Sequence, residues 1–315
     1  MKVDTAAERT SEVLAQIADL KKTKNAAFLV HKYQIAEVQD IGDFVGDSLG
    51  LAQVAAQTDA DVIVLCGVRF MAETAKLLNP EKAVLLPEQD ANCPMAQMVR
   101  PGDVLALKEK HPGAVVVSYV NTTAATKAVT DVCCTSANAV KVVSSIPEDR
   151  EIIFTPDQHL GAFVRKMTGR DLIIWPGCCP THARVTAEMV LEAKAEHPGA
   201  KVVVHPECRM EVIELADAVR STSGMLKYCA ESDASDFIIG TEKGMLYPLK
   251  KRCPGKTFWP MAEEMVCPNM KLTNLESVRA ALEDMRYEIT VPPDIAEPAR
   301  RAIDRMLEIG RESGN

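Results

Sequence analysis

The stretch His111-Pro112-Gly113-Ala114-Val115-Val116-Val117-Ser118-Tyr119-Val120-Asn121 holds a turn, an apolar run and a polar pair. It recurs 86 residues later as His197-Pro198-Gly199-Ala200-Lys201-Val202-Val203-Val204-His205-Pro206-Glu207. Apolar runs without polar alternation mark strands buried on both faces, the parallel-sheet type. An earlier version is Ala26–Val30, closing in His31 and Tyr33. Seventeen residues after the first member of each pair comes a hydroxyl: Ser48 after His31, Ser136 after Tyr119, Thr222 after His205. A cysteine follows 45, 43 and 45 residues later, at Cys93, Cys179 and Cys267. One template is therefore present three times.

Further apolar runs at Val62–Leu65, Ala83–Leu86, Ile152–Phe154, Leu172–Trp175 and Phe237–Ile239 alternate with helix-like stretches. The expected fold is α/β. It comprises three pseudo-symmetric three-layer αβα repeats with short parallel sheets, packed so that equivalent loops converge on a central cluster and active site. The repeats span 1–93, 94–180 and 181–267, and 268–315 is a C-terminal helical extension. A first helix over 5–24 carries Val13, Leu14, Ile17 and Leu20 on one stripe. The extension reads as a helix near 274–287, a break at Pro292-Pro293 and a last helix to about 309.

The chain has 315 residues, a net charge of −8 and 47% hydrophobic residues. An acidic chain argues against nucleic acid as partner, although a local pocket can still attract anions. Met1–Arg9 has no apolar signal core. No apolar run approaches the roughly 20 residues needed to span a bilayer, so the expected location is the cytoplasm. There the ten cysteines stay reduced and read as core residues, ligands or catalysts.

Alone, each cysteine is best read as a small buried hydrophobe. Cys93, Cys179 and Cys267 differ by occupying one place in three copies. Cys178 is a rival to Cys179, and parity with the other repeats favours Cys179. Soft thiolates suit zinc or iron–sulfur clusters. Structural zinc sites favour paired CxxC hooks, which this sequence lacks. Three ligands from three repeats suit a [4Fe–4S] cluster with one iron left to act as a Lewis acid.

His31, Tyr33, His205 and Glu207 are proton-transfer types, while Tyr119 and Asn121 can orient a carboxylate or carbonyl. Ser48, Ser136 and Thr222 read either as helix N-caps or as anion sites at helix starts. His182, three residues after Cys179, suits an acid/base or ligand-supporting role. His111 and His197 belong to surface turns, and His159 reads as structural. Absence of GxGxxG and Walker sequences leaves nucleotide binding without support.

Several motifs together resemble the quinolinate synthase family of NAD biosynthesis. They are Gly46-Asp47-Ser48-Leu49, Cys66-Gly67-Val68-Arg69-Phe70-Met71-Ala72-Glu73-Thr74, Ala91-Asn92-Cys93-Pro94-Met95-Ala96 and Tyr119-Val120-Asn121-Thr122. Cys134-Thr135-Ser136-Ala137-Asn138-Ala139-Val140, Trp175-Pro176-Gly177-Cys178-Cys179-Pro180-Thr181-His182 and His205-Pro206-Glu207-Cys208 continue the series. Ser221-Thr222-Ser223-Gly224-Met225 and Cys267-Pro268-Asn269-Met270-Lys271 complete it.

The resemblance implies a transferase that condenses iminosuccinate with dihydroxyacetone phosphate to quinolinate, phosphate and water. It implies a [4Fe–4S] cluster on Cys93, Cys179 and Cys267, and a substrate site lined by His31, Ser48, Tyr119, Asn121, Ser136, His205, Glu207 and Thr222. Tyr33 and His182 match further active-site positions. A transient contact with the oxidase that supplies iminosuccinate is a further implication. Some relatives carry a cysteine three residues before the third ligand, where this chain has Glu264. The alternatives are a non-catalytic anion-binding or sensing protein and a structural-zinc protein.

Overall fold

The computed structural model describes residues 6–311. Thr5, assigned to the first helix from sequence, and the polar terminus before it lie outside the described residues. Among the described residues, twelve strands form three four-stranded, all-parallel sheets. The first contains β1 (Ala26–His31), β2 (Phe44–Gly46), β3 (Val62–Cys66) and β4 (Ala83–Leu85). The second contains β5 (Val115–Tyr119), β6 (Val132–Cys134), β7 (Ile152–Thr155) and β8 (Ile173–Ile174). The third contains β9 (Lys201–Val204), β10 (Ala218–Val219), β11 (Asp236–Gly240) and β12 (Thr257–Pro260). Their orders are β2-β1-β3-β4, β6-β5-β7-β8 and β10-β9-β11-β12, one topology repeated three times.

Helices flank each sheet. β3 and β5 are buried at every position, as strands covered on both faces must be. Four strands had not been expected. β2, β6 and β10 are two or three residues long, too short to show a period. β12 alternates exposed and buried positions and ends in Pro260.

A polar clasp also repeats. Asp43 accepts from the amide of Phe28 at 2.8 Å, Asp131 from Val116 at 2.8 Å and Asp217 from Val202 at 2.9 Å. Each aspartate lies five residues before the repeat's hydroxyl and ties the start of the short strand to the central one.

Two compact units are present. One comprises the described residues up to Asn92 together with Pro268–Val291; the other comprises Cys93–Cys267 together with the residues from Pro292 onward. In the first, Val13 and Ile17 of the first helix (Ala6–Thr23) pack with Phe28, Val64, Leu85, Val278 and Leu282. Burying each such side chain contributes roughly 1.5–3 kcal/mol. The helix Leu275–Asp284 thereby joins the first sheet's core, capped by Asn274 and Ser277. In the second unit, the helix Pro293–Arg311 packs against β6 and the short helix Ala124–Lys127. A separate cluster around Val190, Val202, Val204, Val212 and Ile238 closes the third sheet. Among the described residues no helix is long and apolar enough to cross a membrane.

The paired turns follow helix ends. His111 and His197 are C-cap residues. Gly113 and Gly199 have φ of +85° and +87°, a conformation that glycine takes without strain.

Candidate active site and metal centre

In the second compact unit, β9 ends at Val204 and the chain runs on through His205, Pro206 and Glu207. Ligands bind beyond such carboxyl ends in open parallel sheets. The amide of Glu207 donates to Nδ1 of His205 at 3.3 Å. That bond leaves Nε2 to carry the proton of the neutral ring, and Nε2 lies 3.1 Å from Oγ of Ser136. The Tyr119 side chain, at the end of β5, hydrogen-bonds to Glu207. Tyr119, His182, His205, Ser136 and Glu207 are thus brought together.

Glu207 Oε2 is 2.7 Å from Nδ1 of His182 and 3.6 Å from Nδ1 of His205. The two imidazoles stack with centroids 4.8 Å apart. Burial alone pushes the Glu207 carboxyl up. His182 and His205, with hydrogen bonds from His182 and Tyr119, outweigh it and bring the group down to about 2. Asp157, also fully buried, goes the other way. Burial and then the Glu207 charge push it well above the ordinary carboxylate range, against hydrogen bonds from Leu160, His159 and Cys179. Two neighbouring acids whose surroundings push their proton affinities in opposite directions are a common arrangement at reactive sites.

The three repeat cysteines lie in loops of this unit. Burial pushes the Cys93 thiol up to about 12, and the charges of Glu207 and Cys267 add to the rise. Cys179 is raised well above its ordinary value by burial, then by Glu207 and Cys93. The Cys178 thiol is raised by burial and by Asp157, and Gln158 bonds to it; neither Cys93 nor Cys267 is among its charged neighbours. The Cys179 loop is held by the bond from the Gln158 amide to the Gly177 carbonyl, at 2.7 Å. A Cβ at Gly177 would meet the Pro156 carbonyl oxygen at 2.5 Å, so only glycine fits there. Cys179 Sγ, His182 Nδ1 and a Glu207 oxygen lie within 4.8 Å of one another and are a candidate metal-binding group.

Of the hydroxyls, Ser48 and Thr222 are first residues of the helices Ser48–Ala55 and Thr222–Glu231. Neither is the cap. Asp47 accepts from the Gly50 amide and Ser221 from the Gly224 amide, which frees the following hydroxyl for another partner. Thr222 Oγ1 is buried and has no hydrogen-bond partner, as is Asn121 Oδ1. Ser136 departs from expectation, since the helix behind it begins only at Ala139. Asn138 Oδ1 ties back to the amide of Thr135 at 2.6 Å, and Ser136 sits in the resulting turn.

His31, Tyr33 and Ser48 belong to the first compact unit. His31 ends β1 and meets the Tyr33 ring edge-on at 4.6 Å. The Tyr33 amide donates to Nδ1 of His31 at 3.2 Å, the same bond that Glu207 makes to His205. His159 is half-buried; burial and then Arg209 lower its pKa.

Sequence reading missed Asp157, Lys127, Thr241 and Glu242. Lys127 is fully buried and donates to the carbonyls of Val120 at 2.7 Å and of Thr122. Gln39, 88 residues earlier, clasps Lys32 and Gln34 in the same way. That spacing was the available signal, obscured by the change from amide to amine. Thr241 lies 2.8 Å from Nε2 of His182. Glu242 accepts from the amides of Gly244 at 2.7 Å and Cys267 at 3.3 Å.

Residues 15–308 match the family described as Quinolinate synthetase A protein. The chain is 54% identical over 297 residues to the quinolinate synthase of Geobacter metallireducens, covering 94% of this chain and 97% of that protein. It is 54% identical over 300 residues to that of Methanoregula boonei, covering 95% and 99%. With that of Dehalococcoides mccartyi it shares 52% over 294 residues, covering 93% and 97%. Matches of this depth along nearly the whole chain show that it belongs to the quinolinate synthetase A protein family.

Proposed function

We propose that this chain is a quinolinate synthase that condenses iminosuccinate with dihydroxyacetone phosphate, releasing phosphate and water. The observation that carries the reading is the buried group of Glu207, His182, His205 and Tyr119 beside cysteines from three equivalent loops, in a chain of this family.

The donor set fits an iron–sulfur cluster. Burial first, then the Glu207 charge and a neighbouring thiol, raise both Cys93 and Cys179, the thiol being Cys267 for the first and Cys93 for the second. Such thiols lose their protons together only where positive charge is supplied among them. Cys93, Cys179 and Cys267 would hold a [4Fe–4S] cluster. When bound, it supplies a Lewis-acidic iron with no protein ligand.

The chain's own residues do the rest. Glu207, ionised across the neutral range, takes up or returns a proton through His182 or Tyr119. His205, oriented through Nδ1, presents its Nε2 proton beside Ser136. Thr222 and Asn121 hold buried polar atoms that a substrate carboxylate, carbonyl or phosphate would satisfy, and the Thr222 hydroxyl adds to the free amides of its helix start. By resemblance, His31, Tyr33 and Ser48 are further substrate-site residues, and the location is cytoplasmic.

Anaerobic purification tests the reading. A brown protein with iron and sulfide of about four each per chain, forming quinolinate from the two substrates, is the expected result. The mixed donors Cys179, His182 and Glu207 also suit zinc. Zinc without sulfide, and no quinolinate, overturns the proposal.

A further inference from the structure

We propose that Thr241-Glu242, just past the end of β11, is a positioning pair. The Thr241 hydroxyl fixes His182 against Glu207, and the Glu242 carboxylate holds the backbone that carries Cys267. The inference rests on the functional reading above.

Thr241 and Glu242 are 1% and 0% exposed. His182 is gripped at both ring nitrogens, Nδ1 by Glu207 at 2.7 Å and Nε2 by Thr241 at 2.8 Å. An imidazole so held cannot turn without breaking a buried bond, and partners of this kind set both ring orientation and tautomer. Both oxygens of Glu242 are engaged, Oε2 by the Gly244 amide and Oε1 by the Cys267 amide. Glutamine would bring an NH2 group against one of those N–H donors. A single dipeptide therefore meets both the proton-transfer pair and a thiol ligand.

A purely architectural role is a poor account. The equivalent positions, two residues past the third strand of each sheet, are Val68, Asp157 and Glu242. At Val68 the following helix starts without any side-chain cap, so the fold does not require an acid there. Asp157 acts as Glu242 does. It caps its helix through the amides of His159 and Leu160, and the Cys179 amide adds a smaller bond. One residue earlier stand Gly67, Pro156 and Thr241. The hydroxyl occurs only in the third repeat, where it meets His182.

The test uses full-length protein, reconstituted anaerobically, as Thr241→Val, Thr241→Ser and Glu242→Gln. Thr241→Val should keep wild-type iron and sulfide, lose about 10- to 100-fold in kcat and change KM by less than about twofold. Thr241→Ser should restore kcat. Glu242→Gln should release iron to a chelator about 10- to 100-fold faster than wild type. In the cluster-free chain, its Cys267 amide should exchange with solvent faster. If Glu242→Gln does not fold, Glu242→Asp, which keeps the charge and shortens the reach, gives the same readouts. A Thr241→Val enzyme equal to Thr241→Ser overturns the first half. Wild-type chelator resistance and Cys267 exchange in the Glu242 variant overturn the second. A wild type that holds no cluster or makes no quinolinate overturns the functional reading instead.

Discussion

Glu207 Oε2 lies 2.7 Å from Nδ1 of His182, and the two side chains are 4% and 1% exposed. A charge-assisted bond in so dry a place is short and directional. In the proposed reaction, His182 and Tyr119, both hydrogen-bonded to Glu207, are the routes by which a proton would reach or leave it.

Replacing Glu207 by Gln should therefore lower kcat by about 10²- to 10⁴-fold, the usual contribution of a positioned acid or base. Iron content should stay at the wild-type level. Quinolinate formation measured on cluster-matched protein checks this, and normal turnover would remove Glu207 from the chemistry.

Alanine at Cys93, Cys179 or Cys267 should each abolish the brown colour and the iron–sulfide content. Cys178→Ala should retain both, because its thiol neighbours Gln158 and Asp157 rather than Cys93. Iron and sulfide analysis of the four proteins decides between the two adjacent cysteines.

Thr222→Val removes a buried hydroxyl that has no partner. An unsatisfied group of this kind costs about 1–3 kcal/mol, so the cluster-free variant should melt at or above the wild-type temperature. The same change should raise KM for one substrate about tenfold, as expected for one lost hydrogen bond to a charged group. A lowered melting temperature with an unchanged KM would show the hydroxyl to be structural.

Asp157→Asn tests the raised carboxyl. Its ordinary pKa is 3.8, and burial followed by the Glu207 charge raises it in the folded chain. The unfolded chain releases this proton first. The Asp157 contribution to stability is therefore full below 3.8 and is lost as pH rises towards the folded value. Glu207 works in the opposite direction: its contribution is lost only as pH falls towards about 2. Asparagine keeps an acceptor for His159 and Leu160 and cannot titrate. In denaturant unfolding of the cluster-free chain, the variant should gain on wild type as pH rises above 3.8. A difference that stays flat with pH sinks the assignment.

The central strands and their triplication could be read from sequence, because β1, β5 and β9 are continuous apolar runs ending in polar pairs at one spacing. The short β2, β6 and β10 could not, since two or three residues carry no period. The Asp43, Asp131 and Asp217 clasps were equally periodic. They passed unnoticed because an aspartate before a turn is ordinary and only its bond to a strand amide gives it meaning.

The sequence by itself determined the α/β class, the three cysteines and the strand-end residues His205 and Glu207. Each of these depends on residue type and spacing along one chain. Which groups meet within a repeat was decided by tertiary structure alone. Ser221 rather than Thr222 caps its helix, Thr241 grips His182 from 59 residues away, and Glu242 holds Cys267 from 25 residues away. The physical reason is that hydrogen bonds are set by distance and direction in space. A threonine or glutamate past a strand end has the same local signature whether it faces solvent or a buried histidine.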